Sequence, residues 1–210
     1  MSAGALRHRR VAAFLDRDGT VIREHGHFWE PRLVELAPGA ATGIRRLKAA
    51  GFLVILVTNQ SGIARGIFDE HQFWLGQRRL EELLAGEGIK LDAVYFCPHH
   101  PTEGDTPYRQ PCDCRKPLPG MLERAAREYG LDLGRSFMVG DSPVDVGAGK
   151  AAGCRVVQVD TAYGKGVYGL VRAEAVVLPD GTPAVPDHRA PGLGEASLWI
   201  LRAAGREAGA

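Results

Sequence analysis

The chain has 210 residues, enough for one domain of ordinary to large size with a real core. Its net charge is +1, with 26 basic and 25 acidic residues interspersed, which removes any electrostatic reason to propose nucleic acid or a membrane surface as partner. Met1 to Arg10 is basic and short with no apolar stretch after it long enough for a signal peptide, and the longest strongly apolar run, Phe52 to Val57, is far too short to span a bilayer. The expectation is a soluble cytoplasmic monomer, folded as a single domain over residues 1–210.

Short apolar segments predict strands at Val11–Leu15, Phe52–Val57, Ala93–Phe96, Phe137–Val139 and Arg155–Val159, and more weakly at Ala173–Val177. Helical patterns lie between most of them. Ala40 to Ala50 carries Ile44 and Leu47 on one face and stops at Gly51. Asp69 is placed to cap a helix carrying Phe73, Leu80, Leu83 and Leu84, ending near Gly86 or Gly88. Met121 to Tyr129 and Val144 to Ala152 each run into a glycine. Strand-helix alternation of this kind predicts an α/β fold with a mainly parallel sheet covered on both faces. Two long loops interrupt it, Arg23 to Pro38 and His99 to Pro119; each follows a strand and so sits over the carboxyl edge of the sheet, where open α/β sheets bind ligands. The tail from Pro179 to Pro191 reads as loop, and Glu195 to Ala204 as a closing helix.

The first strand ends in Asp16-Arg17-Asp18-Gly19-Thr20. Residues i and i+2 of an extended chain point the same way, so Asp16 and Asp18 can face one pocket. Two anions that close need a cation between them, and a hard divalent ion such as magnesium suits oxygen ligands. One carboxylate can then act as nucleophile and the other as general acid and base. A solvated acidic turn is the competing reading, disfavoured by the apolar strand before the pair and Gly-Thr after it.

Three further stations follow strands. Thr58-Asn59-Gln60-Ser61-Gly62 offers a hydroxyl and amides to a phosphoryl oxygen, although a polar turn explains it as well. Arg115-Lys116-Pro117 offers cations for a phosphate, or a solvated basic pair. Gly140-Asp141-Ser142-Pro143-Val144-Asp145 offers Asp141 to the cation, or as a helix cap, and Asp145 to orient Lys116 or cap. Cys97, His99, Cys112 and Cys114 supply the three thiolates and one imidazole of a structural zinc that would staple a loop unable to fold by burial. His100 is the rival imidazole, and reduced core cysteines are the plain alternative. Cys154 reads as core, and Phe28 and Trp29 as loop packing or a pocket rim.

Together, Asp16-x-Asp18-Gly-Thr, Thr58-Asn59, Lys116 and Gly140-Asp141-x-x-x-Asp145 resemble the four ordered motifs of the haloacid dehalogenase-like phosphatases. The resemblance implies a Rossmann-like three-layer sandwich, magnesium and an aspartyl-phosphate. Asp16 would be the nucleophile and Asp18 the general acid/base. Thr58, Arg115 and Lys116 would hold the phosphoryl group or substrate. Asp16, the backbone carbonyl of Asp18, and Asp141 would bind magnesium. Asn59-Gln-Ser-Gly-Ile-Ala-Arg-Gly66, Cys97-Pro-His-His-Pro101 and Cys112-Asp-Cys-Arg-Lys-Pro117 further resemble the zinc-containing D-glycero-D-manno-heptose 1,7-bisphosphate 7-phosphatases, a subgroup shared with histidinol-phosphate phosphatases. That implies a small phosphosugar as substrate, no inserted cap domain, and contacts from Glu24, His25, Gly26, His27, Thr58, Asn59, Gln60, Ser61, Arg115 and Lys116. The implied reaction removes the 7-phosphate during nucleotide-activated heptose synthesis for lipopolysaccharide core. An Asn commonly stands in that subgroup where this chain has Ile22, and a Tyr where it has His27. Histidinol phosphate or a broader set of phosphosugars is the nearest alternative substrate. A non-enzymatic zinc-stapled interaction domain is the remote alternative.

Overall fold

The computed structural model describes residues 10–104, 107–160 and 176–206. Six strands form one sheet: β1 (Ala12–Leu15), β2 (Leu53–Asn59), β3 (Ala93–Cys97), β4 (Phe137–Gly140), β5 (Arg155–Val159) and β6 (His188–Ala190). Their order is β3-β2-β1-β4-β5-β6, and every pairing is parallel. Ala13 and Leu15 of β1 feed one core cluster and Ala12 and Phe14 the other. Burial on both faces is why this strand reads as an unbroken apolar run.

Helices cover both faces. α1 (Ala40–Ala49), α2 (Glu70–Gly86) and α5 (Leu193–Ala203) bury Ile44, Leu47, Leu80, Leu84 and Ile200 in the cluster with Leu15 and Leu56. α3 (Gly120–Tyr129) and α4 (Pro143–Ala151) bury Met121, Leu122, Ala125, Val146 and Ala148 in the cluster with Phe14 and Val57. The predicted punctuation is in place. Asp69 caps α2 through the Gln72 amide at 2.7 Å, with the Gln72 side chain reaching back to the Asp69 amide at 2.9 Å. Gly130 ends α3 at φ 65°, in the left-handed region. No helix among the described residues is long and apolar enough to cross a membrane.

The tail corrects the sequence reading. His188–Ala190, inside the stretch expected to be loop, joins the sheet beside β5. Its three residues contain no apolar run, and the pairing is made by main chain at a sheet edge, where composition carries little signal. The weak expectation at Ala173–Val177 lies mostly outside the described residues; within them, Val177 makes an isolated antiparallel bridge to Pro183.

The order reverses at β1: the chain moves outward to β2 and β3, then returns to β4 on the other side. The crevice at such a switch point, beyond the carboxyl ends of the strands, is where an open sheet takes a ligand. Between β1 and α1 the regular structure is a single 3₁₀ turn at Pro31–Leu33. Among the described residues, the segments from β2 to α2 and from β3 to α3 carry no helix or strand.

Candidate active site

The end of β1 turns sharply. The Asp16 amide still donates to the Val139 carbonyl at 2.9 Å, and then the Val21 and Ile22 amides both fold back onto the Arg17 carbonyl at 2.9 and 3.0 Å. Gly19 sits at φ 76°, and a Cβ there would lie 2.1 Å from Asp141 Oδ2. Only glycine lets the carboxylate at the end of β4 close against the turn after β1.

Lys116 reaches the centre of this space and is buried. Its Nζ donates to Asp16 Oδ1 at 2.8 Å, Asp145 Oδ1 at 2.5 Å and the Val57 carbonyl at 2.8 Å, which uses all three of its protons. Burial pulls the ammonium down, but Asp145 and Asp16 together hold it above its ordinary range, so it stays charged. Asn59 clasps the same residue by the backbone: its Nδ2 donates to the Lys116 carbonyl and its Oδ1 accepts from the Lys116 amide, both at 3.0 Å. Asp145 accepts from the Ser142 amide at 3.0 Å and the Ser142 hydroxyl at 2.5 Å, closing a capping box at the start of α4. It therefore caps the helix and orients Lys116 at once.

Carboxylate oxygens of Asp16, Asp141 and Asp145 lie within 4.8 Å of one another. Asp145 is committed to Lys116 and Ser142, which leaves Asp16 and Asp141 as oxygen donors. Burial first, and Asp145 next, push Asp16 up to about 7 against the pull of Lys116. That excess of negative charge and the all-oxygen donor set suit a hard divalent cation. Asp18 stands beside them, with Oδ2 taking a 2.8 Å bond from Gln60 Nε2, which also donates to Thr58 Oγ1 at 2.8 Å.

These groups line a cavity of about 320 Å³. It contains Asp16, Asp18, Glu24, Gly26, His27, Thr58, Asn59, Gln60, Ser61, Arg115, Lys116 and Asp141, all expected from sequence. His25 is not in its lining; the ring packs edge-on against Phe28, at 5.4 Å between centroids. Arg65, Ser142 and Val144 line the cavity without having been predicted, and Phe28 forms part of its rim. The Arg of Ser61-Gly-Ile-Ala-Arg65 was a readable signal, since a cation just beyond a polar turn at a strand's carboxyl end is placed to meet an anionic ligand. Glu24 accepts from the Gly26 amide at 2.5 Å, and burial, then Asp18, push it up to about 7. Burial lowers the His27 imidazole. Of the two departures from the subgroup pattern, Ile22 is fully buried in the core, and His27 is the one that lines the cavity.

The thiols gather as expected. Cys97 Sγ lies 3.6 Å from Cys112 Sγ and 3.7 Å from His99 Nδ1, and Cys114 Sγ lies 3.4 Å from both. Ligands at about 2.3 Å from a tetrahedral ion stand roughly 3.4–3.8 Å apart, so the set fits one metal. His100 is engaged elsewhere: its Nδ1 accepts from the Glu103 amide at 2.9 Å. The thiols differ in their hold on a proton. The hydrogen bond with Cys97 lowers Cys114 to about 5 and raises Cys97, while burial raises Cys112. The loop also aims Arg115, whose NH1 donates to the His99 carbonyl at 3.1 Å.

The model for haloacid dehalogenase-like hydrolases matches residues 4–153, and one described as HAD-hydrolase-like matches residues 113–195. The chain belongs to the haloacid dehalogenase-like hydrolases. Over 143 residues it is 50% identical to a D-glycero-beta-D-manno-heptose-1,7-bisphosphate 7-phosphatase of Pasteurella multocida, covering 68% of this chain and 77% of that one. It is 46% identical over 141 residues to the protein of the same name from Escherichia coli K12, covering 67% of this chain and 74% of the relative. Among solved structures, the D,D-heptose 1,7-bisphosphate phosphatase of B. bronchiseptica, complexed with magnesium and phosphate, superposes with a TM-score of 0.73 at 35% identity, over 92% of this chain and 99% of that one. Haloacid dehalogenase-like hydrolases with these names are phosphoric monoester hydrolases, and the carboxylate–lysine cluster at the switch point is arranged for that chemistry.

Proposed function

We propose that this chain is a magnesium-dependent phosphatase that removes the 7-phosphate of D-glycero-D-manno-heptose 1,7-bisphosphate through an aspartyl-phosphate. The observation that carries the reading is the buried ammonium of Lys116 bonded to Asp16 and Asp145 at the floor of a cavity that Asp18 also lines. The names of the relatives supply the substrate. In the first step an Asp16 oxygen attacks phosphorus, the bond to the sugar oxygen breaks, and Asp18 gives that oxygen a proton. In the second, a water oxygen attacks the same phosphorus and gives its proton to Asp18. The Asp16–phosphorus bond breaks, releasing inorganic phosphate and restoring the carboxylate.

A phosphate monoester repels an anionic nucleophile, so the site must offset charge before attack. Lys116 does part of this. Asp16, Asp141 and the Asp18 carbonyl would hold magnesium, which when bound supplies the remaining positive charge on the phosphoryl oxygens. Thr58 and Ser61 offer hydroxyls to those oxygens, and Asn59 fixes Lys116. Glu24, Gly26, His27 and Arg115 would meet the sugar and its second phosphate. Cys97, His99, Cys112 and Cys114 would hold a zinc that cross-links the loop carrying Arg115 and Lys116. The product would enter nucleotide-activated heptose synthesis, and free thiols grouped for a metal support a reducing, cytoplasmic compartment.

The test is kcat/KM across heptose bisphosphate, histidinol phosphate and simple hexose phosphates, with and without magnesium. The reading predicts a clear preference for the heptose bisphosphate and no turnover without magnesium. Equal or better turnover of histidinol phosphate would move the assignment to that subgroup.

A further inference from the structure

Arg17 lies between the two catalytic aspartates in sequence and is the largest fully buried side chain among the described residues, 1% exposed. A guanidinium that deep is costly unless it is paired. Its NH1 lies 3.3 and 3.4 Å from the two oxygens of Asp18. Its Nε and NH2 meet no hydrogen-bond acceptor among the described residues. The flat group is held instead by two rings, Phe28 of the loop after β1 at 5.7 Å and Phe73 of α2 at 5.5 Å from guanidinium carbon to centroid. Space for this is kept by Gly76, in the middle of α2. A Cβ there would lie 3.3 Å from Arg17 NH2 and 2.9 Å from the Trp29 carbonyl. A mid-helix glycine weakens a helix, and the close approach of this loop is the reason one stands here.

Nothing in the phosphoryl-transfer steps uses this cation. We propose that Arg17 is a positioning residue: the buried guanidinium ties the Asp18 carboxylate to Phe28 and Phe73, so that the acid/base group and the sugar-facing loop are set as one unit. Gln60 holds Asp18 from the Thr58 turn. Arg17 supplies the other tether and the only charged one among the described contacts of that carboxylate. The inference rests on the phosphatase reading above.

The test uses the full chain with magnesium, comparing wild type with Arg17→Met, Arg17→Lys and Gly76→Ala on p-nitrophenyl phosphate by stopped flow. Phenolate leaves without a proton, so phosphorylation of Asp16 survives a misplaced Asp18. Breakdown of the aspartyl-phosphate needs Asp18 as base and slows. The expected result for Arg17→Met is a burst approaching about one p-nitrophenol per chain, then a steady rate at least roughly tenfold below wild type, with KM falling in step so that kcat/KM changes less than about threefold. Arg17→Lys falls between, because the charge stays and the planar stack is lost. Gly76→Ala presses on the Trp29 carbonyl at 2.9 Å as well as on Arg17 NH2 at 3.3 Å, so it shifts loop and guanidinium together and gives a smaller burst of the same kind. A steady rate within about twofold of wild type in folded Arg17→Met, or in Arg17→Lys should Arg17→Met fail to fold, would overturn the inference. So would equal loss in Arg17→Lys and Arg17→Met without a burst, which is the mark of a merely structural role. A wild type inactive on both the aryl and the sugar phosphate would instead strike the phosphatase reading itself.

Discussion

Lys116 shows how one residue can join stability to chemistry. Its three acceptors are all within 2.8 Å, and two of them are carboxylates that would repel each other and Asp141 without it. Removing one partner of such a buried set leaves an uncompensated charge. Asp145→Ala is therefore expected to cost about 3–5 kcal/mol in unfolding free energy, read by urea denaturation, and to lower kcat by misplacing Lys116. Gly19→Ala strains a backbone at φ 76° and drives a Cβ into Asp141. Its expected result is loss of turnover together with about 1–3 kcal/mol of stability, checked by the same two assays. Asp16→Asn and Asp18→Asn each remove a group that the proposed mechanism uses to form or release the phosphoryl bond. Both should abolish turnover while leaving the circular dichroism spectrum unchanged. Asp16, Asp18, Lys116 and Asp141 were legible because each ends or follows a strand in an ordered series. Arg17 was not, because nothing in a sequence says that a charged side chain between two acids will turn inward onto aromatic rings.

The loop from His99 to Pro119 is held by side chains rather than by regular structure. Its regular main-chain pairing is limited, among the described residues, to the His100–Arg109 bridge and a few turns. Four ligand atoms within 3.7 Å of their neighbours would replace that missing burial with one ion. Cys112→Ser is expected to lose about one zinc per chain by metal analysis, to melt several degrees lower, and to raise KM through Arg115. A protein with full zinc content and unchanged melting after the substitution would remove the staple. The thiol spacing made this loop readable in sequence, and the structure prefers His99 because His100 serves the turn through the Glu103 amide. β6 was not readable, since an edge strand of three residues is recruited by the main chain of β5. Ser142 and Val144 were missed for a related reason: a cavity wall is assembled from distant segments, and only the fold brings them together; Arg65 was missed although its place after the Thr58 turn was readable.

At the scale of the molecule, strand order is what converts scattered motifs into one site. Placing β1 between β2 and β4 brings the ends of three strands to one crevice, so the polar turns of Asp16, Thr58 and Asp141 face a common cavity. The α/β class, the parallel sheet and the carboxyl-edge location were all legible from alternation, because parallel strands need crossovers and crossovers open onto that edge. The site also makes stability depend on pH. Asp16 and Glu24 bind protons more tightly in the folded chain, up to about 7, than in the unfolded one. The stability they contribute is therefore present at low pH and lost as pH rises from about 4 to about 7. Magnesium held by Asp16, as proposed, would compete with the proton there. The shift in Tm on adding magnesium should thus be larger at pH 8 than at pH 5, and a shift that is equal or reversed would argue against a metal at Asp16.

The most direct measurement is acid quench of the enzyme turning over sugar phosphate labelled in its phosphoryl group. The account predicts label covalently bound to the protein, approaching about one per chain when breakdown is slowed, released by hydroxylamine as an acyl-phosphate must be, and absent from Asp16→Asn. Label found only as free phosphate at every quench time, with Asp16→Asn turning over at the wild-type rate, would contradict it.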